Sequence, residues 1–365
     1  MKLLKILLLF STVFVLSSCD KIKELLDSEK TPEEIFDDNR SGVVVVLNEY
    51  YYTLKLPNGN MLYFSGLDEE GDIKDLTADK DEIVQKKIII TGTGFFISND
   101  GQIMTNRHVV MPMIDKSMVK KSYKGLIKSL KNLFELQMSQ YSSQYNQLEA
   151  QKQSCYSYDF WGNTTCDSDR INEIELEQQE LRSNYEQLEE SREGLDEVTD
   201  TEELKIDIVS EIGIAYDNTF VTSENDFIER NPCVSVRCSD VEDVDLAIIQ
   251  LKSKKTPEET KVLEFSSDDE ELKINQNLCM IGYNAGLILA NTKQGIKVQL
   301  TTGQLTQQPD GQRLLYSIPT MQGSSGSPVL NLKGKVVAVN FAKLVGTENF
   351  NFGIPNKQIQ KFMNE

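Results

Sequence analysis

The chain has 365 residues, 39% of them hydrophobic and 26% charged, an ordinary balance for a folded globular protein. Its 57 acidic residues outnumber 38 basic ones, giving a formal net charge of -19 that no basic patch offsets. A nucleic-acid surface needs clustered Lys and Arg to neutralise phosphates, so that class of partner is excluded.

Lys2 and Lys5 precede an apolar run, Ile6 to Leu16, whose eleven residues fall short of the roughly 20 that span a bilayer. The run ends in Leu16-Ser17-Ser18-Cys19, which resembles the bacterial lipobox. That resemblance implies a signal peptide over residues 1–18 and lipidation of Cys19. It places the protein in the bacterial cell envelope, lipid-anchored on a periplasmic or outer surface and in contact with the membrane through this terminus. Residues 19–40 are polar and charge-rich, and read as a tether.

Export to an oxidising compartment permits disulfides. The short spacings favour Cys155 with Cys166 and Cys233 with Cys238, whereas Cys279 in "NLCMIGY" reads as a buried free thiol. Neither pair has the C-x2-C spacing or the histidine neighbours of a zinc site, so no metal and no cofactor are expected.

Val43 to Tyr52 and Met61 to Phe64 are β-branched and aromatic runs joined across "LPNGN", where Asn58-Gly59 supplies positive φ angles for a tight hairpin. Strands follow at Lys87 to Ile90, Gly94 to Ile97 and Ile103 to Thr105. After Ile206 short strands return in "IDIVSEIGIAY", "DLAIIQL", "NLCMIGY", "IKVQLTTGQL", "LLYSIP" and "VVAVNFA". Many short strands punctuated by turns predict a barrel or sandwich over residues 41–112 and 205–365.

Residues 113–204 differ in character. Val119, Tyr123, Leu126, Leu130 and Leu133 step by four and three, and after a one-residue shift Phe134, Met138, Tyr141, Tyr145 and Leu148 continue the stripe. A second stripe runs through Ile171, Ile174, Gln178, Leu181, Tyr185 and Leu188, with Leu195 later in register. These heptad seams predict an inserted antiparallel helical hairpin of coiled-coil type. "SCYSYDFWGNTTCDSD" forms its tip. Tyr156, Tyr158, Phe160 and Trp161 there either pack around a Cys155–Cys166 staple or offer anchors to a protein partner.

His108, the single histidine, follows the strand "QIMT" at a loop, so any serine activated by imidazole must use it. Such a base needs an orienting carboxylate. Asp245 opens the buried strand "DLAIIQL", while its rivals Asp243 and Asp240 sit in the acidic loop "SDVEDVD", where solvation explains them more simply. In "MQGSSGSPVL", glycines lie two before and one after Ser325, so a tight turn can converge the N–H groups of Gly323 and Ser325 on an oxyanion. Ser324 and Ser327 lack that arrangement, which makes Ser325 the candidate nucleophile.

"GTGFFIS", "IMTNRHVV", "DVDLAIIQL" and "GSSGSPVLN" stand in the chain in that order, and together they resemble the trypsin-like serine peptidases, nearest the HtrA-type branch. The resemblance runs from about Gly42 to Phe362. It implies a mostly β, chymotrypsin-like double β-barrel of two six-stranded barrels with the site between them, acting on protein or peptide substrates. His108 then serves as general acid/base, Asp245 as orienting carboxylate, Ser325 as acylated nucleophile, and Gly323 with Ser325 as oxyanion hole. Ser324 stands where digestive members carry the acid that pairs with a freshly cut N-terminus, so activation of that kind is not expected. Pro319 stands where trypsin carries a carboxylate, so cleavage after Arg or Lys is not expected either. No peptide-binding PDZ module is expected after "NFNFGIPNKQIQKF". The competing expectation is a catalytically idle scaffold of this fold that displays the hairpin for protein binding.

Overall fold

The structure is a computed structural model that describes residues 28–158, 160–241, 243–267, 272–343 and 351–364. The signal peptide, Cys19 and the first part of the tether lie outside the described residues. Clustering of contacts divides the chain into two compact units. The first takes residues 28–50, 88–113 and 210–364, and it holds the second barrel and the greater part of the first.

It opens with α1 (Pro32–Asn39), whose start is fixed by Thr31 and Glu34 in a reciprocal capping box. Next come β1 (Val43–Lys55), β2 (Met61–Phe64) and the two-residue strands β3 (Gly66–Leu67) and β4 (Ile73–Lys74). A short α2 (Lys80–Val84) leads to β5 (Ile88–Phe96), β6 (Gln102–Thr105) and the one-turn α3 (Arg107–Val110). The helical insertion consists of α4 (Lys116–Ser154), β7 (Tyr156–Tyr158), β8 (Thr164–Cys166) and α5 (Ser168–Gly194). The sheet then resumes with β9 (Lys205–Tyr216), α6 (Asn225–Arg230), β10 (Pro232–Cys238) and β11 (Ala247–Leu251). Strand order β1-β5-β6-β11-β10-β9, with β9 returning to β1, closes the first barrel, and β2 extends β1 outside it.

The second barrel uses β12 (Asn277–Gly282), then α7 (Leu287–Ala290) with the ribbon β13 (Asn291–Thr292) and β14 (Gly295–Ile296). It continues with β15 (Gln299–Gln304), β16 (Leu314–Tyr316), β17 (Pro328–Leu330), β18 (Val336–Lys343) and β19 (Asn351–Pro355), and α8 (Asn356–Asn364) follows. Its order is β15-β12-β17-β18-β19-β16, and a bridge between Leu305 and Tyr316 joins the two outer edges. The fold is a chymotrypsin-like double β-barrel with a helical insertion.

Alternation along each strand explains how two barrels share one core. Val44 and Val46 of β1 point into the first barrel with Phe96, Ile103 and Ile249. Val43, Val45 and Leu47 of the same strand face a second layer with Phe95, Met104, Ile281 and Val339. Both faces of β1 are therefore buried, which is why it reads "VVVVL" rather than alternating with polar residues. Each such side chain contributes roughly 1.5–3 kcal/mol relative to exposure. Leu278 and Met280 turn the other way, into the second barrel with Tyr316 and Val329.

The sequence reading needs correction at several points. The "TGTG" stretch, with Gly92 and Gly94, does not divide two strands: it pairs without a break as part of β5, from Tyr50↔Ile88 to Val43↔Phe95. At the β1–β2 hairpin only Gly59 takes a positive φ, +89°; Asn58 instead accepts the Asn60 N–H through Oδ1 at 3.1 Å. No disulfide joins the described cysteines. Cys233 and Cys238 occupy the two ends of β10, about five residues or 16 Å apart, too far for a bond that needs Cα atoms within about 7 Å. In the tip ribbon Cys166 faces Tyr156 rather than Cys155, and Cys166 Sγ and Cys155 Sγ contact Ser168 Oγ and Gln151 O respectively.

The second unit comprises residues 51–87 and 114–209. At about 1.5 Å per residue its 39-residue α4 is about 58 Å long. Asp115 caps α4 and Asp167 caps α5, each through a side-chain oxygen on backbone N–H groups of the first turn. The seam keeps Val119, Tyr123, Met138, Leu148, Ile171, Ile174 and Gln178 buried, but Ile127 replaces Leu126 in it and Leu133 drops out. Leu126 is 40% and Leu133 49% exposed, so the stripe changes register a heptad earlier than the sequence suggests. Lys152–Glu175 pairs α4 with α5, and Lys131–Asp196 ties α4 to the turn beyond α5. Among the described residues no helix is long and apolar enough to cross a membrane.

Candidate active site

The site is built where β6 gives way to α3. Pairing of β11 with β6 in the register Ala247↔Thr105 sets Asp245, two residues before Ala247, against the turn that follows Thr105. Four groups of that turn then close on Asp245, the first being the Arg107 N–H, which donates to its carbonyl at 3.4 Å. Asn106 Nδ2 donates to its carbonyl at 2.7 Å, His108 N donates to Oδ1 at 3.0 Å, and His108 Nδ1 lies 2.5 Å from Oδ2. From the other side, Asn48 of β1 donates through Nδ2 to the carbonyls of Val109 and Val110 at 3.0 and 3.2 Å. A one-turn helix has too few internal bonds to hold itself, so these contacts fix the imidazole's backbone. The imidazole remains 41% exposed, while the Asp245 carboxylate is 17% exposed. The rival Asp243 lies apart, pairing with Arg313 Nη2 at 3.4 Å on the surface.

The loop 321–327 is fixed by a different set of bonds. Thr93 of β5 is fully buried; its N–H donates to the Ser325 carbonyl at 2.8 Å and its hydroxyl to the Gly323 carbonyl at 2.9 Å. Gly326 donates to Asn340 O at 2.8 Å, Asn340 N donates to Ser327 O at 2.9 Å, and Ser327 N donates to Ser324 O at 3.0 Å. Two glycines are obligatory here. Gly323 has φ +96° and Gly326 φ +87°, and a Cβ on Gly326 would stand 2.0 Å from the Thr93 carbonyl oxygen.

Burial distinguishes the three serines. Ser324 is 2% exposed and donates its hydroxyl to Met321 O at 2.7 Å. Ser327 is fully buried against Gly282, where a Cβ would meet its Oγ at 2.0 Å. Only Ser325 of the three is open to solvent in part. The N–H groups of Gly323 and Ser325 enter none of the hydrogen bonds of the described residues, whereas those of Ser324, Gly326 and Ser327 are all spent. Ser325 and α3 meet at Gly92: a Cβ there would lie 2.7 Å from Val109 Cγ2 and 3.1 Å from Ser325 O. No hydrogen bond of the described residues joins Ser325 Oγ to His108. A long base–nucleophile contact is common in proteases without substrate.

Residues 198–339 match the family model described as "Trypsin-like peptidase domain". The matched stretch contains Asp245 and Ser325 and begins after the helical insertion, with His108 ahead of it. No curated protein matches the sequence. Among solved structures, a serine endoprotease from Yersinia pestis is similar, with 13% identity, TM-score 0.43, and coverage of 93% of this chain and 67% of that one. The active form of a protease from M. tuberculosis is similar at 13% identity and TM-score 0.42, covering 92% of this chain and 87% of that one.

Sequence reasoning passed over Thr93, Asn340 and Tyr316. Asn340 carried a signal, as a lone amide inside the apolar strand "VVAVNFA". Thr93 carried none, because threonine is an ordinary strand residue.

Proposed function

We propose that the protein is an exported, lipid-anchored serine endopeptidase that cleaves peptide bonds through an acyl-enzyme. The supporting observation is the 2.5 Å contact of His108 Nδ1 with Asp245 Oδ2, together with a part-exposed Ser325 whose own N–H and that of Gly323 are unspent. In this reading Ser325 Oγ attacks the scissile carbonyl while His108 Nε2 takes its proton, and Asp245 steadies the imidazolium that forms. The N–H groups of Gly323 and Ser325 receive the developing oxyanion. His108 then returns the proton to the leaving amine, and water repeats the sequence to release the acid. The arrangement follows the general serine-protease scheme. With Pro319 in place of a carboxylate, a small or medium apolar side chain is the preferred residue before the cut. Lipidation at Cys19 would keep the enzyme at the membrane.

A fluorophosphonate probe labels the wild-type protein and leaves Ser325→Ala unlabelled. Equal labelling of the two would end this reading and leave the idle scaffold. In its favour stand Phe160 and Trp161, 94% and 83% exposed at the hairpin tip.

A further inference from the structure

We infer that Asn340 is the positioning residue that keeps the oxyanion hole open, acting through the Ser324–Ser325 peptide; this rests on the peptidase reading above. The side chain is 2% exposed in the middle of β18. Its Nδ2 donates to the Ser324 carbonyl at 3.0 Å and lies 3.1 Å from Ser324 Oγ. Its Oδ1 accepts from the Tyr316 hydroxyl at 2.7 Å, and Tyr316 is itself fully buried. The Ser324 carbonyl can only accept, so the NH2 end of the amide must face it, and the Tyr316 hydroxyl, which also lies 3.0 Å from Phe352 O, holds the Oδ1 end.

The consequence follows from peptide geometry. In a planar trans peptide the C=O and the N–H point in opposite directions. Asn340 Nδ2 and Ser327 N together draw the Ser324 carbonyl inward. The N–H of Ser325, on the other side of the same peptide, therefore faces away from the core, where it makes no bond within the described residues. Rotating that peptide would strip the Ser324 carbonyl of both donors and bury an unpaired oxygen, which disfavours the closed arrangement. The backbone of Asn340 adds bonds to Gly326 and Ser327, so one residue braces the nucleophile on both sides. A pocket acid paired with a new N-terminus is not needed for this geometry, because the donor comes from β18 of the folded barrel.

Asn340→Asp tests the assignment, because it keeps the shape and replaces the donor by an oxygen. With a generic peptide p-nitrophenyl ester, kcat should fall about 100-fold or more, the loss expected for one oxyanion donor. KM should stay within about threefold, and peptide binding on a Ser325→Ala background should be unchanged. A kcat within threefold of wild type for Asn340→Asp, or a loss confined to KM, overturns the inference. Should the buried carboxylate prevent folding, Tyr316→Phe decides: a kcat loss near tenfold supports the inference and an unchanged kcat overturns it. A wild-type protein that neither turns over the ester nor takes the fluorophosphonate would instead remove the peptidase reading, and this inference with it.

Discussion

Asp245→Asn separates catalysis from folding, because the structure dictates how the new amide must sit. Asp245 receives two donors from one residue: His108 N at Oδ1, 3.0 Å away, and His108 Nδ1 at Oδ2, 2.5 Å away. The backbone N–H is always a donor, so the asparagine oxygen must stay opposite it. The amide NH2 is then left facing Nδ1, which can only accept. The imidazole proton moves to Nε2, the nitrogen that has to accept from Ser325, and the base is lost without any change in shape. For a triad of this kind the wrong tautomer costs about 10⁴ in kcat, or about 5.4 kcal/mol at 1.36 kcal/mol per decade. Stability should change little, since two hydrogen bonds are replaced by two. The assay is kcat and KM on a library-selected peptide, with a thermal melt alongside. A variant within tenfold of wild-type kcat would refute the assignment of Asp245, and so would a large drop in Tm with kcat lost in proportion to folded protein.

Gly326→Ala should destabilise the fold as well as silence it. Its Cβ would stand 2.0 Å from Thr93 O at φ +87°, whereas Gly311, at φ +81°, has nothing within 4 Å of such a Cβ. Gly311→Ala then reports backbone strain alone, about 1 kcal/mol, and Gly326→Ala should lower Tm by several degrees more. Equal melting points would show that the loop yields at no cost. Iodoacetamide at neutral pH should modify Cys155 and Cys166 and spare Cys233 and Cys279, where burial pushes the thiols up to about 12 and about 11. Peptide mapping without reductant should show no Cys233–Cys238 bridge. Finding that bridge would refute the β10 geometry.

Strands with both faces buried were the most legible part of the chain, because β1 opens with an unbroken apolar run, Val43 to Leu47, and β11 is apolar except for Gln250. Strand β10 escaped notice because Val234, Ser235 and Val236 carry an exposed, mixed face, and its two cysteines suggested a loop closed by a bond. The hairpin's existence was written in its heptads, but its register was not. Leu126 and Ile127 are adjacent apolar residues, and only packing against a partner decides which one turns inward. At the site, chain context singled out His108 and Asp245, which touch across 137 positions of sequence. The braces behind Ser325 were hidden for another reason. Thr93 and Asn340 act through the carbonyls of residues 323–325, with Tyr316 behind Asn340, and a carbonyl leaves no mark on the choice of residue that bears it.

The order in which the chain emerges during synthesis gives the insertion a temporal meaning. Strands β1, β5 and β6 precede the hairpin, and β9, β10 and β11 follow it, so the first barrel cannot close until the long helical excursion has been made. His108 meets the Asp245 carboxylate only just before β11, and Ser325 comes later still, between β16 and β17. A nascent chain therefore carries His108 without Asp245 for 137 positions of its elongation. On the peptidase reading proposed above, a chain that ends within the insertion holds neither Asp245 nor Ser325, so it carries no complete catalytic set.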